Sequence, residues 1–192
     1  MSRSDPMAVK ASIKALILGL LEEHRLMTLA TNRPDGWPQA TTVGYINDGY
    51  MIYCFIARDS QKYANILRDP RVSAAIGSDA SNPMAIKGLS LGGRANEVAD
   101  RDEFEHVCKL RLLRYPEYAG LPLPKFGTPD RIAPAPPQSS VVLLRIAPDV
   151  ISVLDYSKGF GHSDLVTFSD RDLDVHLTSA RHRWQGTTDA AE

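Results

Sequence analysis

The stretch Leu26–Gly77, LMTLATNRPDGWPQATTVGYINDGYMIYCFIARDSQKYANILRDPRVSAAIG, decides the fold. Its β-rich runs are separated by Asp35-Gly36 and Asn47-Asp48-Gly49, both turn signals, and a helical segment opens at Ser60. The expected order is strand, turn, strand, turn, strand, short helix, strand. Everything before and after reads as packing around that unit.

Chemistry enters where the third strand gives way to the helix, at Ile56-Ala57-Arg58-Asp59-Ser60-Gln61-Lys62. A helix N-terminus directs unpaired N–H groups and the positive end of its dipole outward, so an anion is stabilised there. Ser60 adds a hydroxyl, and Arg58 and Lys62 add cations within reach of the same point. That pattern suits a phosphate. It equally suits an N-cap at Asp59 or Ser60 followed by a solvated lysine, and these residues by themselves leave both readings open.

Seven features of the wider run come in a fixed order: Leu29-Ala30-Thr31, the Asp35-Gly36-x-Pro38 turn, Thr41-Thr42-Val43, Ile52-Tyr53, Ser60-x-Lys62, Asn65-x-x-x-x-Pro70 and Gly93-x-Ala95. Together they resemble the pyridoxamine 5′-phosphate oxidase-like family of FMN-binding split β-barrels, over roughly residues 13–155. The resemblance implies a mainly β fold, a split barrel with flanking helices, and FMN as cofactor. It assigns cofactor binding to Thr41, Thr42, Val43, Ile56, Arg58, Ser60, Gln61 and Lys62. Small side chains in Thr41–Gly44 would let a flat ring lie close to the strand, although an ordinary β-branched strand has the same composition.

The activity implied is that of an oxidoreductase acting on a small molecule, with no acid or base residue identified. Members of this family place the flavin at a twofold interface, which implies a homodimer. Two alternatives share the barrel: a deazaflavin-dependent reductase, and a flavin- or haem-binding protein without turnover. The chain departs from the oxidase's own pattern at two places. Gly88 stands where that enzyme carries a polar side chain, and the arginines that follow its C-terminal signature have no counterpart after Trp184-Gln185.

Composition narrows the remaining classes. With 192 residues and 43% hydrophobic content, one domain spanning 1–192 is expected, burying ~70% of its unfolded surface. Lys and Arg total 22 against 23 for Asp and Glu, so the basic excess of a nucleic-acid binder is missing. No apolar run reaches the roughly 20 residues that span a bilayer, and MSRSDPMAVK lacks a signal-peptide h-region, so a cytoplasmic protein is expected. Cys54 and Cys108 make no CxxC, and the five histidines show no HExxH, so no metal site is expected.

Ile13, Leu16, Ile17, Leu20 and Leu21 form one apolar helix face ahead of the barrel. A glycine-bearing strand is expected over Lys87–Val98, with Gly92-Gly93 marking a bulge or a close approach. Asp100–Arg114 reads as a helix with a capping box from Asp100 to Glu103, ending at Tyr115-Pro116. The Pro-rich loop 116–137 holds no long regular element. Val141–Ile146 and Val150–Leu154 are expected as two strands joined by an Ala147-Pro148-Asp149 turn. Asp155–His162, with its glycines, Lys158 and His162, is a candidate for the substrate side or a plain surface turn. Beyond Ser169 the tail is polar and charged.

Overall fold

The computed structural model describes residues 6–77, 79–120, 141–168 and 175–178, the first five and the last four of these as backbone alone. Helix α1 (Pro6–Glu23) leads into β1 (Leu26–Asn32), β2 (Pro38–Gly44), a short β3 (Ile46–Asp48), β4 (Met51–Ala57), helix α2 (Gln61–Arg68) and β5 (Arg71–Gly77). This is the expected order, except that the second strand is divided at Tyr45 into β2 and β3. Gly36 (φ 86°) and Gly49 (φ 57°) adopt the left-handed conformation that the two turn signals require. Then follow β6 (Lys87–Glu97), α3 (Arg101–Arg114), β7 (Val141–Asp155), β8 (Ser163–Phe168) and β9 (Val175–Thr178).

The strands form one antiparallel sheet in the order β2-β1-β5-β6-β7-β4-β3, with β8 added to β7 and β9 to β8. The sheet curls until β2, at one end of that order, comes against β4 near the other without pairing with it. The result is a split β-barrel with flanking helices, as expected.

One expectation is corrected. Val141–Ile146 and Val150–Leu154 are not two strands joined by a turn but the two halves of β7. Its first half pairs with β4 and its second with β8, while β6 runs along both. The register shifts between Gly92 and Gly93, and Pro148 sits opposite Gly93 at that bulge. A bulge accommodates a proline because no ladder N–H is required of it there. The polar tail also holds a strand that sequence patterning did not show, β9, paired to β8. Ser78, most of the Pro-rich loop and Trp184 lie outside the described residues.

Two apolar clusters hold the fold. The larger fills the barrel and takes in Ile13, Ile17, Leu20 and Leu21 of α1. Burying those four aliphatic side chains contributes about 1.5–3 kcal/mol each, which is why the helix face docks on the sheet. The smaller cluster lies outside the barrel, where Phe104, Val107 and Cys108 of α3 meet Ile46, Tyr53 and Leu143. Strand β4 is therefore covered on both faces: Ile52, Cys54 and Ile56 point into the barrel, and Tyr53 points toward α3.

Asp100 caps α3 by accepting from the Glu103 N–H at 2.7 Å. The return half of the expected capping box is not made. The Glu103 carboxylate instead accepts from the Tyr53 hydroxyl at 2.9 Å and pairs with Arg145 at 3.2 Å, tying α3 to β4 and β7.

Candidate functional site

Residue by residue, the expected cradle separates into groups that are engaged and groups that are open. Ser60 is the N-cap of α2: its Oγ accepts from the Tyr63 N–H at 3.4 Å and donates to the Ala57 carbonyl at 2.6 Å. Arg58 is held by Glu97 at 2.6 Å and donates to the Tyr63 hydroxyl at 3.1 Å. Tyr63 in turn donates to Glu97 at 2.6 Å, closing a three-residue ring. Partial burial alone would raise the Glu97 carboxyl, but the bonds from Tyr63 and Arg58 hold it below the ordinary carboxylate value.

Lys62 is half-buried, and no described residue forms a hydrogen bond or ion pair with it. Its charge is felt at the buried Cys54 thiol, opposing the effect of desolvation there. The backbone N–H groups of Gln61 and Lys62 likewise have no acceptor among the described residues. The Gln61 side chain donates to Asn65 at 2.9 Å, and Asn65 donates to Thr31 and Gln39, both at 3.0 Å. Through this chain α2 is fixed to β1 and β2.

Thr41 lies two residues beyond Gln39 on the same face of β2, and its Oγ1 is buried without a partner. A buried hydroxyl without a partner is costly, and a ligand group that bonds it removes that cost. Of its neighbours, Val43 is buried and Thr42 exposed. Ile56 sends its side chain into the barrel core, and its backbone is in register with Val142.

A pocket of about 390 Å³, within the usual range for small-molecule sites, opens on the outer face of β4. Gly44, Tyr45 and Ile46 form one wall, and Tyr53 and Phe55 of β4 a second. Arg111 of α3 and the following turn, with Tyr115 and Tyr118, complete it, while Arg25 and Val141 add to its lining. The Arg25 guanidinium lies over the Tyr115 ring and pairs with Glu117. Arg111 is 9% exposed, and its guanidinium stands 5.6 Å from the Phe55 ring centroid and 5.2 Å from that of Tyr118. Burial pushes the Tyr45, Tyr53 and Tyr115 hydroxyls up, so all three stay protonated near neutral pH.

The family model for pyridoxamine 5′-phosphate oxidase matches residues 13–154, about three quarters of the chain. The chain belongs to the pyridoxamine 5′-phosphate oxidase family. No curated protein matches it. Among solved structures, a Listeria innocua protein named for pyridoxamine 5′-phosphate oxidase is similar at TM-score 0.55 and 23% identity, over 74% of this chain and 98% of that one. A conserved Mycobacterium tuberculosis protein is similar at TM-score 0.55 and 27% identity, over 84% and 91% of the two chains. A haem-binding protein from Mycobacterium smegmatis shares the fold at TM-score 0.60 and 21% identity; the match takes in 87% of this chain and 60% of that protein's length.

Within this pyridoxamine 5′-phosphate oxidase fold, the cradle and the pocket both draw on β2 and β4, the cradle through Thr41–Val43 and Ile56 and the pocket through Gly44, Tyr53 and Phe55. The sequence pointed to the cradle residues and not to the pocket. Two signals for it were present. Tyr53 and Phe55 alternate with Ile52, Cys54 and Ile56, so β4 carries an aromatic face opposite its core face. Arg111 continues the buried face of α3 at i+7 from Phe104, where an arginine has no reason to be unless something pairs with it.

Proposed function

We propose that this chain is an FMN-binding oxidoreductase acting on a small molecule. The observation that carries the reading is the start of α2, where the Lys62 ammonium and the N–H groups of Gln61 and Lys62 have no partner among the described residues. The buried, unpartnered Thr41 hydroxyl on the facing edge of β2 supports it. These residues fit a flavin carrying a terminal phosphate. Lys62 and the two N–H groups would hold the phosphate, Thr41–Val43 would supply polar groups to the cofactor's edge, and Ser60 would keep the helix start in place. FMN, when bound, supplies the redox chemistry, and the protein supplies binding, orientation and electrostatic setting.

The pocket walls do the rest of the work in this reading. Tyr53, Phe55, Tyr115 and Tyr118 exclude water and offer flat surfaces, and Arg111 supplies a fixed positive charge. None of the lining residues named is a histidine, cysteine or methionine, so tyrosine is the one haem ligand type among them. We further propose a homodimer with two equivalent flavin sites at its twofold interface.

The test is direct. Purified protein is denatured and the released cofactor identified by chromatography and absorbance. FMN is the expected product. FAD alone, a deazaflavin, or a Soret band from haem would each overturn the cofactor assignment.

A further inference from the structure

We infer that the pocket on the outer face of β4 selects a planar aromatic carboxylate, held by Arg111, and that it does not select a phosphate ester. The selection of such a molecule as substrate rests on the flavin reading above; its binding does not. Arg111 is 91% buried and lines the pocket, and its guanidinium has no hydrogen bond or ion pair with any described residue. A guanidinium taken out of water without a carboxylate is costly, and one that lines an open cavity is a ready partner for an anion. Its stacking on Phe55 and Tyr118 fixes the fork in orientation, so little is lost in ordering it on binding.

The kind of anion follows from what else is present. The guanidinium fork matches a carboxylate in two parallel hydrogen bonds. A phosphate monoester carries close to two negative charges at neutral pH and three acceptor oxygens. Among the described residues the lining has no lysine, serine or threonine to meet them, and its second arginine, Arg25, is already paired with Glu117. Of the described residues, Arg111 is therefore the one whose charge faces a ligand. Five aromatic residues in the walls set the remaining requirement, a flat apolar body.

The test compares three fluorescent probes of one shape, 2-naphthoate, 2-naphthyl phosphate and neutral 2-naphthamide, by equilibrium dialysis against the full chain at neutral pH, with and without FMN. Naphthoate is expected to bind ten- to a hundredfold more tightly than the amide, the usual margin for a hydrogen-bonded charge. The phosphate is expected to bind no better than naphthoate. Arg111→Gln should abolish the preference for naphthoate while amide binding persists, Arg111→Lys should keep part of it, and Arg25→Gln should cost less than Arg111→Gln.

Equal binding of naphthoate and naphthamide by the unaltered protein overturns the proposal, and this holds even if the Arg111 variants fail to fold. So does tenfold tighter binding of the phosphate, or displacement of naphthoate by FMN. A protein that takes up no FMN yet prefers naphthoate to the amide supports the carboxylate pocket and refutes the flavin reading alone.

Discussion

Lys62 and Ser60 sit two residues apart and play separable parts. A hydrogen bond to a charged group is worth roughly 1.5–3 kcal/mol, so Lys62→Ala should weaken FMN binding by about one to two orders of magnitude. Riboflavin, which lacks the phosphate, should be bound equally well by the variant and the parent. Ser60→Ala removes the cap on α2 and should cost about 0.5–2 kcal/mol of stability whether or not flavin is present. Titration of both variants with both flavins, beside melting of the apo-proteins, checks this pair of outcomes. Arg58→Ala should change FMN affinity less than Lys62→Ala, since Glu97 and Tyr63 already occupy that guanidinium. Cys54 gives a second test at this scale. Burial pushes its thiol from 9.0 up to about 12. A group whose value is raised by folding stabilises the native state fully below its unfolded value and loses that contribution as pH rises toward the folded one. Stability should therefore fall between pH 9.0 and about 12. Below that window iodoacetamide should leave Cys54 unmodified in the native protein and modify it in urea, as peptide mass spectrometry would show.

At the scale of elements, the long strand β7 is the feature least evident from patterning. Ala147-Pro148-Asp149 is a sound turn signal, yet the local preference yields because β6 pairs with both sides of it. The partner that makes this possible is Gly93. A Cβ at that position would stand 2.3 Å from the Ala147 carbonyl oxygen and 2.9 Å from the Pro148 Cα. Both are backbone atoms of a paired strand and cannot swing aside. Gly93→Ala should therefore destabilise by about 1–3 kcal/mol, lowering Tm by roughly 2–12 °C. Unchanged calorimetric melting would show that the bulge relaxes freely. Gly92 and Gly93 were legible as a bulge, but not what crossed it, because the opposing residues lie some fifty positions further along the chain.

For the whole molecule, the exposed large apolar side chains include Trp37, Leu113 and Phe160, each more than 70% exposed. With the proposed twofold arrangement, light scattering should return twice the chain mass of 21.1 kDa. A mass of one chain with flavin fully bound would remove the dimer from the proposal. Sequence by itself determined the strand order through Leu26–Gly77, the apolar face of α1, the Asp100 cap and the family, because turn chemistry, periodicity and capping act between residues close in the chain. The tertiary structure decided the rest. That Arg58 is spent on Glu97, that Thr41 is left with a buried unpartnered hydroxyl, and that Arg111 stands between Phe55 and Tyr118 with no ion-pair partner among the described residues all depend on which distant segments meet. Those meetings follow from the curl of one sheet bringing β2 against β4 and from α3 packing on the outer face of β4, and no local spacing encodes them.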